Sequence, residues 1–154
     1  MQFSGMLKEN TLKDKVIIVT GGGTGLGKSM SKYFLELGAF VVITSRKQDV
    51  LESTKKELES STGGTVHYVV GDVRNIDDVN NTIESSIKKF GRIDALLNNA
   101  AGNFISPTEK LSSKAFETII DIVLKGTCNY SLEVGKYWID NNIKGTMLNI
   151  VTTY

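Results

Sequence analysis

Thr20-Gly21-Gly22-Gly23-Thr24-Gly25-Leu26-Gly27 follows directly on the apolar run Val16-Ile17-Ile18-Val19 and leads into a helical pattern. Strand, glycine-rich turn and helix in that order let a backbone come close to a pyrophosphate and aim a helix N-terminus at it. Each glycine has a distinct task. Gly21 permits the tight turn, Gly25 removes the β-carbon that would block the phosphates, and Gly27 lets the new helix pack against the strand. The spacing is G-x-x-x-G-x-G, which differs from the G-x-G-x-x-G dinucleotide fingerprint.

The rest of the chain repeats the alternation. Leu26, Met30, Tyr33, Phe34 and Leu37 mark one apolar helix face, ended by Gly38, and Phe40 to Thr44 is a short continuous apolar run of the kind found in parallel strands covered on both sides. A second helix is expected from about Gln48 to Ser60, with Leu51, Thr54, Lys55 and Leu58 as its inner edge. A third strand follows at Thr65 to Val70. Asn75 reads as an N-cap with Asp78 three residues on, a relative of the capping box, before the stripe Val79, Ile83, Ile87 and Phe90 and the terminal Gly91. Ile93 to Asn98 is a fourth strand, a long helix is expected from about Ser113 to Asn141, and Thr146 to Val151 is a fifth strand. The expected fold is α/β, a Rossmann-type doubly wound parallel sheet in three α/β/α layers with right-handed crossovers, a single nucleotide-binding domain over 1–154.

Composition narrows the partners. With 18 basic and 17 acidic residues the net charge is +1, and no long basic run gives a footprint for nucleic acid or an anionic membrane. No apolar run approaches the ~20 residues of a membrane span, and the first ten residues lack the apolar core of a signal peptide. The single cysteine, Cys128, excludes an internal disulfide and is expected as a small core residue. A cytoplasmic protein is the simplest expectation, and no metal site is expected. Two glycosylation-type triplets, at Asn80 and Asn129, fall within expected helices.

In a doubly wound sheet the ligand lies at the carboxyl ends of the strands. Gly21 to Gly27, Ser45-Arg46, Asp72-Val73-Arg74, Asn98 to Asn103 and Thr152 to Tyr154 all fall there. The second strand ends at Thr44-Ser45-Arg46-Lys47, with no acid to take ribose hydroxyls. Two cations and a hydroxyl suit a 2′-phosphate; the plainer alternative is a solvated helix start. Asp72 either accepts a hydrogen bond from an adenine amino group or serves as a turn residue. Asn98 to Phe104 is small and amide-rich, able to approach a nicotinamide and offer donors to a carbonyl oxygen, or else a structural turn. Tyr154 can donate a proton or hydrogen bond to a developing oxyanion, or simply pack. His67, within the third strand, is expected to pack or face solvent.

Thr20-Gly21-x-x-x-Gly25-x-Gly27, Asp72-Val73, Asn98-Asn99-Ala100 and Asn149-Ile150-Val151-Thr152, in this order and spacing, resemble the short-chain dehydrogenase/reductase family. Within it, Gly21 to Gly27, Ser45-Arg46-Lys47, Asn98 to Glu109 and Asp121 to Leu124 resemble the 2,4-dienoyl-CoA reductases. The resemblance runs from about Leu12 to Tyr154. It implies an NADPH/NADP cofactor held by Gly21, Gly23, Thr24, Gly25, Leu26, Gly27, Ser45, Arg46, Asp72, Val73, Asn99, Ala100 and Ala101. It implies catalysis by Tyr154 and Asn103, and an acyl-CoA passage lined by Arg74, Phe104 and Ser112. Val123 stands where ordinary family members carry a catalytic asparagine, a residue the dienoyl reductases also lack.

The resemblance also implies that the family's lysine and last strands lie downstream of Tyr154, so the sheet reads as truncated after its fifth strand, the N-terminal part of a longer reductase. The long helix 113–141 carries apolar residues on more than one face, as expected of a homotetramer contact. Reduction of 3-oxoacyl or 2-enoyl thioesters, or a non-catalytic nucleotide-binding role, stay open beside dienoyl reduction.

Overall fold

The computed structural model describes residues 7–103 and 105–151. Five strands form one parallel sheet: β1 (Val16–Thr20), β2 (Phe40–Ser45), β3 (Val66–Val70), β4 (Ala95–Asn98) and β5 (Thr146–Asn149), in the order β3-β2-β1-β4-β5. The helices are α1 (Gly25–Glu36), α2 (Gln48–Thr62), α3 (Ile76–Phe90), α4 (Ser113–Ile120) and α5 (Gly126–Asp140). The reversal of strand order at β1 puts the first crossover on one side of a switch point, where a crevice opens at the strand ends.

The period of two along each strand divides the core in two. Val16, Ile18, Val42 and Leu96 face α3 and α5, meeting Val79, Ile83, Tyr130, Val134 and Trp138. Ile17, Val19, Val41, Ile43 and Leu97 face α1 and α2, meeting Leu35, Leu51 and Leu58. Central strands buried on both faces read as unbroken apolar runs for this reason. Asp94, buried just before β4, accepts the Val16 N–H at 3.0 Å and pairs with Arg92 and Lys15, so it ties the starts of β1 and β4 together. On the α1 side, Leu12, Ile17, Phe34, Leu97 and Leu148 line a cavity of about 360 Å³ beside β4 and β5.

Four sequence expectations are corrected. The apolar face assigned to α1 holds in part, Met30 and Phe34 packing against the core and Leu37 being buried, but the fully buried line of the helix runs through Gly27, Ser31 and Leu35. A helix that comes this close to a sheet at a glycine needs small residues along the contact, and the Ser31 hydroxyl is satisfied by the Gly27 carbonyl at 2.8 Å. Leu26 is instead 67% exposed. Cys128 is exposed rather than in the core, because α5 buries Gly126, Tyr130, Val134 and Trp138, a spacing of four that turns position 128 away.

The expected long helix is divided by a π-helical turn, Asp121–Lys125, between α4 and α5. The division falls where the segment passes between two loops. Ile122 stands 2.7 Å from where a β-carbon on Gly102 would be, and one on Gly126 would collide with Val73. Asn75 does cap α3, accepting the Asp77 N–H, but Asp78 does not complete the box; its carboxylate turns to the Asp72 N–H at 2.8 Å.

His67 on β3 is half-buried, with Nε2 2.8 Å from the Ser85 hydroxyl and its ring edge against Phe90. Burial, and then Lys55 and Lys89, hold its pKa below the ordinary imidazole range. The folded state therefore binds this proton less readily than the unfolded chain, so the neutral ring's contribution is complete above the unfolded pKa and declines as pH falls through that value toward the folded one. Urea unfolding of His67→Gln and the parent protein between pH 8 and pH 5 should show the parent losing more stability at the acid end. A constant difference across that range would show that His67 does not titrate this way.

Candidate functional site

At the carboxyl end of the sheet a cleft of about 480 Å³ is lined by the turn after β1, the end of β2, the start of the loop after β3 and the loop after β4. Gly21, Gly23, Thr24, Gly25, Leu26, Ser45, Arg46, Asp72, Val73, Asn99, Ala100 and Ala101 all border it, so twelve of the thirteen residues expected around a nucleotide share one cavity. Gly27, the thirteenth, lies beneath the turn, where a β-carbon would strike the Gly21 carbonyl and approach the Asn99 amide nitrogen to 2.6 Å. Gly25 has φ +52° and open space around its missing β-carbon, so it is the bare point of the turn.

The joint between β1 and β4 is made by two side chains. Thr20 Oγ1 accepts the N–H groups of Asn99 and Ala100, each at 3.0 Å. Asn99 in return donates its side-chain amide to the carbonyls of Thr20 and Gly21, at 3.0 and 3.3 Å. The amide does the work of another strand residue where the two chains diverge. Asn98 holds the next joint, donating to Asn149 Oδ1 at 2.9 Å and Ser131 Oγ at 3.1 Å, which binds β4, β5 and α5. Thr20 opens the glycine motif in the sequence, but its role as the acceptor that joins β1 to the loop after β4 depends on partners about 80 residues away.

Charge is arranged unevenly. Arg46 and Lys47 border the cleft, with the Ser45 hydroxyl between them and the turn, while Thr44, Val50, Gly71 and Ile122 add further lining that sequence reasoning did not single out. Asp72 is occupied: its carboxylate grips the Arg74 guanidinium through both oxygens and accepts the Arg74 N–H at 3.0 Å. Its pKa is lowered chiefly by that side-chain bond, against the desolvation of partial burial. Arg74 thus lies beside the cleft with its guanidinium committed to Asp72. Ser112 caps α4, accepting the Ala115 N–H at 3.2 Å. Asn103 is exposed in the loop after β4. Phe104 and Tyr154 lie outside the described residues. Among the described residues no cluster of three or more His, Cys, Asp or Glu could hold a metal ion, and no helix is long and apolar enough to cross a membrane.

Residues 15–154 match the short chain dehydrogenase family. The chain belongs to that family. This chain is similar to a probable 2,4-dienoyl-CoA reductase of Bacillus subtilis, 43% identical over 93% of this chain and 56% of that protein. A probable 2,4-dienoyl-CoA reductase of Caenorhabditis elegans is 45% identical over 98% of this chain and 49% of its own length. Among solved structures, a short chain dehydrogenase from Bacillus anthracis superposes with a TM-score of 0.88 at 50% identity, covering 94% of this chain and 57% of the other. The chain spans about half the length of the curated relatives it matches.

The fold of this family implies a nicotinamide nucleotide, and the cleft is built to suit one. Gly25 leaves an opening at the N-terminus of α1, and small residues of the loop after β4, Ala100 and Ala101, also line the cleft. Replacing Thr20 by Val would leave two backbone N–H groups without their acceptor, at about 1–3 kcal/mol each. Urea unfolding should find Thr20→Val destabilised by about 2–4 kcal/mol, whereas a loss under about 0.5 kcal/mol would mean that water replaces the hydroxyl without penalty.

Proposed function

We propose that this chain is the cofactor-binding part of an NADPH-dependent reductase acting on 2,4-dienoyl-CoA thioesters in unsaturated fatty acid β-oxidation. The observation that carries the cofactor choice is the end of β2. Arg46 and Lys47 border the cleft there, and the first carboxylate after that strand, Asp49 in the first turn of α2, is not part of the lining, so a ribose 2′-phosphate would meet a guanidinium and an ammonium rather than an acid. The relatives whose names specify a dienoyl-CoA reductase support the substrate class.

The nicotinamide, when bound, supplies the hydride. Gly21 to Leu26 would hold the pyrophosphate on backbone N–H groups, and Asn99, Ala100 and Ala101 would border the nicotinamide side. Reduction of a conjugated dienoyl thioester moves negative charge onto the thioester oxygen. Asn103 and Tyr154 are assigned as hydrogen-bond donors to that oxygen, stabilising charge present mainly in the transition state by on the order of 3 kcal/mol per donor. Arg74, Phe104 and Ser112 are assigned to the acyl-CoA passage, where Arg74 would trade part of its bond to Asp72 for a phosphate. Homotetramer assembly through α4, α5 and the π turn between them is supported by exposed apolar side chains there, Phe116, Val123, Leu124, Leu132 and Ile139.

Two measurements on the complete protein test this. Arg46→Ala should weaken NADPH binding by about ten- to a hundredfold, the equivalent of a lost charge-assisted hydrogen bond, while NADH binding stays the same. Equal losses for both nucleotides would remove the 2′-phosphate assignment. NADPH oxidation should proceed with a 2,4-dienoyl-CoA and not with acetoacetyl-CoA, and Tyr154→Phe should lower kcat by about a hundredfold or more with little change in NADPH affinity. Turnover of acetoacetyl-CoA alone, or unchanged kcat in Tyr154→Phe, counts against the assigned substrate or the assigned residue respectively.

A further inference from the structure

The turn after β1 is seated on α2 as well as on its own helix. For the N–H groups at the start of α1 to face an anion, carbonyls of the same turn must point back into the protein, where each needs a donor. The Gly23 carbonyl points at α2 and accepts a hydrogen bond from Thr54 Oγ1 at 2.7 Å, across 31 residues of sequence. Thr54 is 4% exposed and Gly23 is buried, so water is not at hand to substitute. The seat has an apolar part too. A β-carbon on Gly23 would lie 3.1 Å from Val50 Cγ1 and 3.6 Å from Leu51 Cδ2, with Ser45 Oγ at 3.4 Å.

Val50, Leu51 and Thr54 share one face of α2, and that helix begins directly after Arg46-Lys47. One rigid body therefore carries both the bed of the glycine turn and the cations at the end of β2.

We propose that Thr54 is a positioning residue: its hydroxyl fixes the register of the glycine turn against Arg46 and Lys47, so that a ligand with two phosphate groups meets both anchors at once. The proposal rests on the cofactor assignment above. Thr54 touches no ligand in this scheme. Its loss is felt only by a molecule that must bridge the two anchors, and a molecule held by the cations alone is indifferent to it.

Calorimetric titration of the complete protein separates the two cases. The probes are NADP+, which spans both anchors, and adenosine 2′-monophosphate, which lacks the pyrophosphate. Thr54→Val should raise the Kd for NADP+ by about tenfold, as for one net hydrogen bond, and leave that for adenosine 2′-monophosphate within about twofold. Thr54→Ser, which keeps the hydroxyl, should restore NADP+ binding. Equal weakening of both probes would reduce Thr54 to general stability and overturn the proposal, as would unchanged NADP+ binding in Thr54→Val or failure of Thr54→Ser to restore it. If Thr54→Val does not fold, Thr54→Cys, with its weak S–H donor, is read by the same ratio. Failure of the unaltered protein to bind either probe would instead overturn the cofactor assignment itself, and this proposal with it.

Discussion

Everything at the carboxyl end of the sheet depends on how β1 and β4 part company. Two parallel strands that diverge leave backbone groups without partners, and here one hydroxyl and one amide side chain take up the vacated bonds. Thr20 and Asn99 thereby keep the strands together for one residue beyond their backbone pairing, and the crevice opens only past that point. The glycine turn leaves one side of the gap and the Asn99-Ala100-Ala101 loop leaves the other. Were the joint looser, the two walls would not hold a fixed separation.

The sheet's other end is secured differently. Asp94 is a buried carboxylate with a backbone donor and two cationic neighbours, a charge stabilised by partners rather than by water. Polar fastening thus sits at both ends of the β1–β4 pair, with apolar side chains between. Such a division suits a nucleotide fold: the middle resists deformation through close packing, while the end that meets a ligand is set by directional bonds.

Strands and the cleft were legible in the sequence because their signals are local. Val16 to Val19 and Val41 to Ile43 are apolar without interruption since helices cover both faces, and the glycine spacing carries its own geometry. What stayed hidden depended on partners distant in sequence. The α1 contact line runs through Gly27 and Ser31, invisible to a search for large apolar residues because closeness of approach, not size, decides it. Asp78 looks like half of a capping box until Asp72 is brought beside it by the turn after β3. Thr54 is legible as part of the inner edge of α2, but the partner its hydroxyl needs there, the Gly23 carbonyl, is not. Cys128 was misjudged because its helix has a single buried stripe, and small apolar residues are common on either side of one.

The widened turn between α4 and α5 has a bearing on how this chain tolerates change in length. An α-helix advances about 100° per residue, so one extra residue would turn everything after it unless a wider π turn takes it up. Losing one residue from 121–125 would let the hydrogen-bond ladder close in ordinary α form while Tyr130, Val134 and Trp138 keep facing the sheet, because the wide turn is what takes up the surplus residue. Point substitutions in that stretch are absorbed side chain by side chain. A single-codon deletion there is taken up by the wide turn, whereas one inside α4 or α5 would rotate half the layer by about 100°, so this segment is the place in the layer most lenient in length.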